Sequence, residues 1–387
     1  MNLVIVSDDF PERNHQSYVF VEQLVIALSD LGVKVSVVAP QRFAKIVLRK
    51  SNKFSKYKRY STKKGNTYEV YRPYYYISAG NIRILQRLHV SSLKHAVERI
   101  LKKIGHENID AVYGHFWHNA NTMVKYARKH TKPLFVACGE SGKAMDRLLS
   151  ILNEAEKKEL SETVKGVISV STENKNRVLK YGLSDEDKIE VIPNAVDKTV
   201  FFPKDGRSLR AQYGIEDSDF VISFVGAFIQ RKGSNRLSDA ITQLNDSSVK
   251  SFFMGKPVSN DDCTPDCPGI MLKESTSHDK LPEYLSASDV FVLPTLNEGC
   301  CNAIVEALSC GVPVISSNLP FNDDILDETN SIRVDPTNVK EIKDAILKLK
   351  DDKVLREKLA KGALKKSESL SIDTRAQRVL EFIQSKM

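Results

Sequence analysis

Apolar runs and helical-period stretches alternate along this chain in two successive series. In the first, Leu3–Ser7 reads as a strand, Tyr18–Leu31 spaces its apolar residues for a helix that Gly32 stops, and Val35–Ala39 is the next strand. After a polar interval, YEVYRPYYY (68–76) restores strand character. Leu93, Val97, Ile100, Leu101 and Ile104 predict a helix over 93–104, followed by strands at Ala111–Tyr113, Leu134–Ala137, Val167–Val170 and Ile189–Ile192. Residues 193–220, with two prolines, Gly206 and Gly214, read as a connector. The second series then begins: a strand at Val221–Val225, a helix after Gly233, a strand at Ser251–Met254 and a helix over Pro282–Ala287. Strands at Val290–Leu293 and Val312–Ser316 precede closing helices at 339–350, 353–369 and 373–385. Two such series predict an α/β protein of two doubly wound, Rossmann-like domains, 1–195 and 196–372, facing across a cleft.

Composition agrees with two soluble domains: 387 residues, 41% apolar and 27% charged. No apolar run approaches the roughly 20 residues needed to span a bilayer. The N-terminus enters a strand with no signal sequence ahead of it, so a cytoplasmic location is expected. Six cysteines fit that compartment as free thiols, and Cys263 and Cys267 have no second pair with which to hold zinc. Charge is uneven. Residues 1–190 carry 32 Lys/Arg against 20 Asp/Glu, and the remainder carries 25 against 29. Residues 42–64 alone hold ten basic residues, no acidic ones, and the aromatics Phe43, Phe54, Tyr57 and Tyr60. This segment implies an anionic partner; with no nucleic-acid-binding motif beside it, an anionic membrane surface is favoured over nucleic acid, and a solvated loop is the alternative.

The segment DVFVLPTLNEGCCNAIVEALSCGVPVIS (289–316) carries the most chemistry. Its strand stops at Pro294, Glu298 stands in the following loop, and Glu306 sits on the next helix. In a parallel sheet that junction opens where ligands bind, and the helix start suits a phosphate. Carboxylates there would accept hydrogen bonds from sugar or ribose hydroxyls, so the segment reads as a nucleotide-sugar site. In VGAFIQRKG (225–233), Arg231 and Lys232 follow a strand and suit a diphosphate whose charge grows as a sugar–phosphate bond breaks. The D-x-D sequence Asp217–Ser218–Asp219 precedes its strand and lies on the wrong edge for a catalytic metal, so no metal and no cofactor are expected.

These segments, with VISVSTENKNRVLKYGL, KIEVIPNAVDKTVFFP and LPEYLSASDVFVLPTLNEG, resemble the retaining GT-B glycosyltransferases of family 4, the group 1 transferases. The resemblance implies a GT-B fold whose last helix, 373–387, packs back on the N-terminal domain. It places a nucleoside diphosphate sugar on the C-terminal domain, with Glu306 on the ribose, Glu298 on the sugar, and Arg231 and Lys232 on the diphosphate. Gly226 and the backbone of Gly299, Cys300, Cys301 and Asn302 would line phosphate and sugar, while Ser277 and His278 lie in the loop over the nucleobase. There are departures. Ala227 stands where relatives often have Arg, and Ala195 replaces Gly in IPNAVD, which also carries Asn194 and Asp197. The loop after the first strand, SDDFPERNHQSY, lacks the usual glycines and offers Asn14, His15 and Ser17. CGES places Cys138 at the family's histidine and Glu140 near its acid, and GHFWHN offers His115 and His118 as further acceptor or cleft candidates.

The resemblance implies a metal-independent, retaining transfer from a UDP- or GDP-sugar to a glycan or lipid-linked acceptor, in assembly of a bacterial surface polysaccharide. Such a protein would work in the cytoplasm, peripherally at the inner face of the plasma membrane. Two other functions share this architecture: a non-hydrolysing nucleotide-sugar epimerase, and a catalytically silent nucleotide-sugar-binding partner of another transferase.

Overall fold

The computed structural model describes residues 1–12, 17–43, 54–76, 83–140 and 142–387; the candidates Asn14 and His15 and positions 44–53 of the basic segment lie outside them. The chain divides into two compact units, Met1–Ile192 with Ile372–Met387, and Pro193–Ser371, where the sequence placed its boundaries after 195 and 372.

Unit 1 is built on strands β1 (Asn2–Val6), β2 (Lys34–Val38), β4 (Tyr57–Ser61), β5 (Thr67–Tyr71), β7 (Ala111–His115), β8 (Leu134–Cys138), β9 (Val164–Ser169) and β10 (Ile189–Val191). They lie in the order β10-β9-β8-β7-β1-β2-β5-β4, and β3 (Gln41–Arg42) pairs separately with β6 (Tyr74–Tyr75). The central strands are apolar on both faces because helices cover both sides, so they read as continuous runs without alternation. Its helices are α1 (Val19–Asp30), α2 (Arg83–Ile104), α3 (Trp117–Lys129), α4 (Gly142–Ile151), α5 (Glu154–Thr163) and α6 (Thr172–Lys180). A capping box joins Asn153 and Glu156 at the start of α5, and Ser171 Oγ accepts from the Asn174 amide at 3.3 Å to cap α6.

Two expectations are corrected here. The helix expected over 93–104 begins ten residues earlier, at Arg83. The described end of the basic segment is strand rather than loop: β4 pairs antiparallel with β5, Tyr60 stacks on Tyr68 at 5.2 Å, and Arg59 bonds Glu69 at 2.6 Å. With Lys58 and Arg59 on it, this strand at the sheet edge also discourages pairing with another chain.

Unit 2 is wholly parallel: β11 (Phe220–Val225), β12 (Val249–Met254), β13 (Ile270–Glu274), β14 (Val290–Leu293), β15 (Val314–Ser317) and β16 (Ser331–Val334), in the order β13-β12-β11-β14-β15-β16. Its helices are α7 (Arg207–Gln212), inside the expected connector, α8 (Ser234–Leu244), α9 (Leu281–Ser286), α10 (Asn302–Ser309), α11 (Val339–Asp351) and α12 (Lys353–Glu368). Strand order reverses between β11 and β14, the kind of point at which doubly wound sheets take ligands at the strands' carboxyl ends. Unit 1 has the corresponding reversal between β1 and β7.

Helix α13 (Ile372–Ser385) belongs to unit 1. Arg378 Nη2 donates to Glu190 Oε1 and the Val191 carbonyl at 2.9 and 3.0 Å, and Arg375 donates to the Ile192 carbonyl. Phe382 packs on Gly166, where a Cβ would come within 2.7 Å of its ring.

Candidate active site

The reversal in unit 2 is drawn tight by Gly233. It has φ +77°, and a Cβ there would lie 2.6 Å from the Pro294 carbonyl, so only glycine lets the loop after β11 meet the end of β14. Buried Arg236 fixes the junction, donating to the carbonyls of Pro294, Pro336 and Gln230 at 2.8, 2.7 and 2.9 Å. The Leu296 amide donates to the Arg231 carbonyl at 2.8 Å.

This frame brings three charged side chains to one point. Glu298 Oε1 lies 2.6 Å from Arg231 Nη1 and 2.7 Å from Lys232 Nζ, and accepts from Thr295 Oγ1 at 2.9 Å. Burial alone would raise the Glu298 carboxyl, but Lys232 and Arg231 together hold it below the ordinary carboxylate value. Burial likewise works against charge on Lys232, and Cys301 and Glu298 more than reverse it. The site carries one surplus positive charge, with Lys232 enclosed and Arg231 43% exposed. Ala227 contributes only a turn carbonyl, accepting from the Ile229 amide at 2.9 Å.

Helix α10 starts beside this cluster with no side chain capping it. Lys232 Nζ lies 3.9 Å from Cys301 Sγ, and Asn194 Nδ2 donates to the Cys300 carbonyl and Asn302 Oδ1 at 2.9 and 2.8 Å. Gly226 and Gly299 are partly exposed along the same loops. Ala195 is not among the positive-φ residues, so alanine is accommodated there without backbone strain. On α10, buried Glu306 bonds His278 Nε2 at 3.0 Å, and His278 packs edge-on against Phe201 at 4.9 Å. Burial pulls His278 down, but the bond to Glu306 and its charge raise it above the usual imidazole value. Ser277 turns the loop, its carbonyl accepting from the Lys280 amide at 3.0 Å.

The reversal in unit 1 gathers a different set. Gly114 lets α3 start close to β7, since a Cβ there would lie 2.3 Å from the Ala120 amide nitrogen. His118 Nε2 meets Asp8 Oδ1 at 2.5 Å; Asp8 also receives Asn119 Nδ2 at 3.2 Å and Tyr18 OH at 3.1 Å. Burial raises Asp8 and lowers His118, but the bond between them prevails in both, favouring the ion pair. Glu140 is turned to the backbone, accepting from the Trp117 and Gly139 amides at 2.9 and 3.1 Å, and its burial raises it above the usual value. Ser17 is partly exposed in the turn before α1. Two candidates are corrected: Cys138 lies in the hydrophobic core, where burial raises its thiol well above normal, and His115 is enclosed, with burial lowering it to about 3. Both belong to strands covered on both faces, which turns them inward.

Sequence reading missed Asp8, Tyr18, Asn119 and Thr295 and gave Asn194 no site role. Asp8 and Thr295 each lie just beyond a strand's carboxyl end, the positional signal that singled out Glu298.

Two family models divide the chain: Glycosyltransferase Family 4 matches residues 19–200, and Glycosyl transferases group 1 matches residues 205–366. The chain belongs to the group 1, family 4 glycosyltransferases. The transferase is 23% identical over 353 residues to TuaC of Bacillus subtilis (strain 168), a glycosyltransferase assigned to teichuronic acid biosynthesis, covering 88% of this chain and 87% of that one. It is 29% identical over 201 residues to the UDP-Gal:alpha-D-GlcNAc-diphosphoundecaprenol alpha-1,3-galactosyltransferase of Escherichia coli, covering 49% of this chain and 52% of that one. Anabaena HepE, solved in complex with UDP-glucose, superposes with a TM-score of 0.72 at 16% identity, covering 100% of both chains. The transferase's two Rossmann-like units are those of the GT-B fold. Among the described residues, no helix is long and apolar enough to cross a membrane.

Proposed function

We propose that this transferase moves a sugar from a UDP- or GDP-sugar, with retention and without a catalytic metal, to a hydroxyl of a glycan or lipid-linked acceptor in surface polysaccharide assembly. The observation that carries the reading is the convergence of Arg231 and Lys232 at the reversal of the unit 2 sheet, beside the uncapped start of α10. Two cations and a helix N-terminus suit a diphosphate and the charge it gains on leaving, a role a metal takes in other enzymes. Glu306, held by His278, accepts from the ribose hydroxyls; Glu298 exchanges one of its cations for the donor and turns to the sugar. The relatives' names, one acting on a diphosphoundecaprenol-linked sugar and one assigned to teichuronic acid, support the acceptor class.

A membrane-bound acceptor also suits the surface of unit 1. Ile84 and Leu88 on α2 are 70% and 45% exposed, and Tyr76 and Phe43, packed together at 5.2 Å, are 61% and 41% exposed. Lys56 lies over the Tyr74 ring beside them, and residues 83–97 hold no acidic residue. Exposed apolar groups among cations fit an anionic lipid surface.

The test is incubation with UDP-glucose, UDP-galactose, UDP-N-acetylglucosamine and GDP-mannose, with and without EDTA. Slow release of nucleoside diphosphate, unaffected by EDTA, is expected. Interconversion of sugars would mean an epimerase, binding without release a silent partner, and release restored only by Mg²⁺ or Mn²⁺ a metal-dependent reaction.

A further inference from the structure

The segment from Asn194 to Phe201 belongs to no strand or helix, yet it touches both ends of the donor site within unit 2. At one end, Asn194 Nδ2 donates to the Cys300 carbonyl at 2.9 Å and to Asn302 Oδ1 at 2.8 Å, across 106 and 108 positions of sequence. At the other, fully buried Phe201 meets the His278 ring edge-on at 4.9 Å, and His278 bonds Glu306. Asp197 turns the chain between them. Its carbonyl accepts from the Val200 and Phe201 amides at 3.0 and 2.9 Å, and its carboxylate accepts from the Thr199 amide at 2.8 Å. The segment is itself anchored, since the Val196 amide donates to the Leu370 carbonyl at 3.0 Å and both Ala195 and Val196 are buried.

Both partners of Asn194 are acceptor oxygens, and they flank a point that Arg231, Lys232 and the start of α10 prepare for an anion. An acceptor oxygen turned toward a diphosphate would repel it, whereas the same oxygen bound to an amide N–H is satisfied and held aside. An asparagine carries two hydrogens on one nitrogen, so a single side chain serves both oxygens. The Cys300 carbonyl can only accept, which fixes the nitrogen of Asn194 on that side. We propose that Asn194 is a positioning residue for the diphosphate: it keeps the Cys300 carbonyl and the Asn302 side chain turned away from the bound phosphates, so that hydrogen-bond donors line that side. This rests on the transferase reading above. Asn194 thus acts on the diphosphate end alone, while Phe201 serves the nucleoside end through His278 and Glu306.

The experiment measures inhibition constants of UDP, GDP, uridine and guanosine against release from the same four nucleotide sugars. It compares wild type with Asn194→Ala, Asn194→Asp, Asn302→Ala, the Asn194→Ala, Asn302→Ala double variant, and Phe201→Leu. Asn194→Ala should weaken the favoured diphosphate about tenfold, the worth of a pair of neutral hydrogen bonds, and leave the matching nucleoside unchanged. Asn194→Asp keeps the shape but turns donors into acceptors, so it should weaken the diphosphate further, again sparing the nucleoside. Asn302→Ala removes one of the two oxygens, so Asn194→Ala should cost less in that background than alone. Phe201→Leu should weaken diphosphate and nucleoside alike. A folded Asn194 variant of either kind that melts lower with unchanged affinities, or that loses diphosphate and nucleoside equally, overturns the positioning role. A wild type that binds and cleaves none of the four donors overturns the transferase reading itself, and this inference with it.

Discussion

Lys232 Nζ lies 2.7 Å from Glu298 Oε1, and both side chains are nearly enclosed. Without donor, the carboxylate therefore serves as counter-ion to the cations that a diphosphate would meet. Glu298→Gln should leave Lys232 buried without a full charge partner, a loss reaching about 3–5 kcal/mol for fully buried pairs. The variant should melt lower than wild type, gain more thermal stability from added UDP, and turn over nucleotide sugar more slowly. Thermal melts with and without UDP check this; an equal UDP response in both proteins would mean that the cations do not face the diphosphate.

Lys232→Ala and Arg231→Ala should lower kcat more than donor affinity, because they act on charge that grows as the sugar–phosphate bond breaks. Each well-placed donor in such a site contributes about 3–4 kcal/mol, a rate factor of about 10²–10³. The enclosed Lys232 should matter more than Arg231, which is 43% exposed. Steady-state kinetics read the difference, and a larger effect at Arg231 would reverse the assignment.

Glu306→Ala should weaken donor binding by about 1.5–3 kcal/mol, since ribose hydroxyls lose a charged acceptor. His278 links the same pair to pH. Its raised folded value means that the stabilisation it draws from Glu306 is complete below about 6.5 and fades as pH rises through the raised value. The melting difference between wild type and His278→Gln should therefore be largest near about pH 6 and small near about pH 9. A difference that grows with pH would contradict the pairing.

Charge reversal at the exposed Lys56, Lys63 and Lys64, or Ile84→Ser with Leu88→Ser, should reduce co-sedimentation with anionic liposomes. The charge contribution should weaken as salt shortens screening from about 10 Å at 0.1 M to about 3 Å at 1 M. Equal pelleting of all variants, or equal binding to neutral vesicles, would leave this face without a lipid partner.

Much of unit 2 was legible because its information is local: strand, loop, two glutamates and helix follow one another within 289–316. The start of α2 was not, because Ile84, Leu85 and Leu88 face outward and give no core-facing period. The hairpin strand β4 was hidden by Lys58, Arg59 and the basic run before it, since its partners Tyr68 and Tyr71 lie across a turn. The Asp8–His118 pair was illegible for another reason. The two residues lie 110 positions apart, and only parallel pairing of β1 with β7 brings their loops together. Cys138 and His115 were chosen for their type and place in a motif, yet strand geometry put them in the interior.

Helix α13 gives unit 1 a peculiar history during synthesis. At ordinary rates of about 5–20 residues per second, the ribosome needs roughly 10–40 s to make 193–371 before Arg375, Arg378 and Phe382 exist. Throughout that interval the space over Gly166 and Phe135 stays uncovered, and the carbonyls of Val191 and Ile192 lack the arginines they later receive. The half of the protein made first is thus the last to be finished, and a nascent chain must shelter an open apolar face until its final helix arrives.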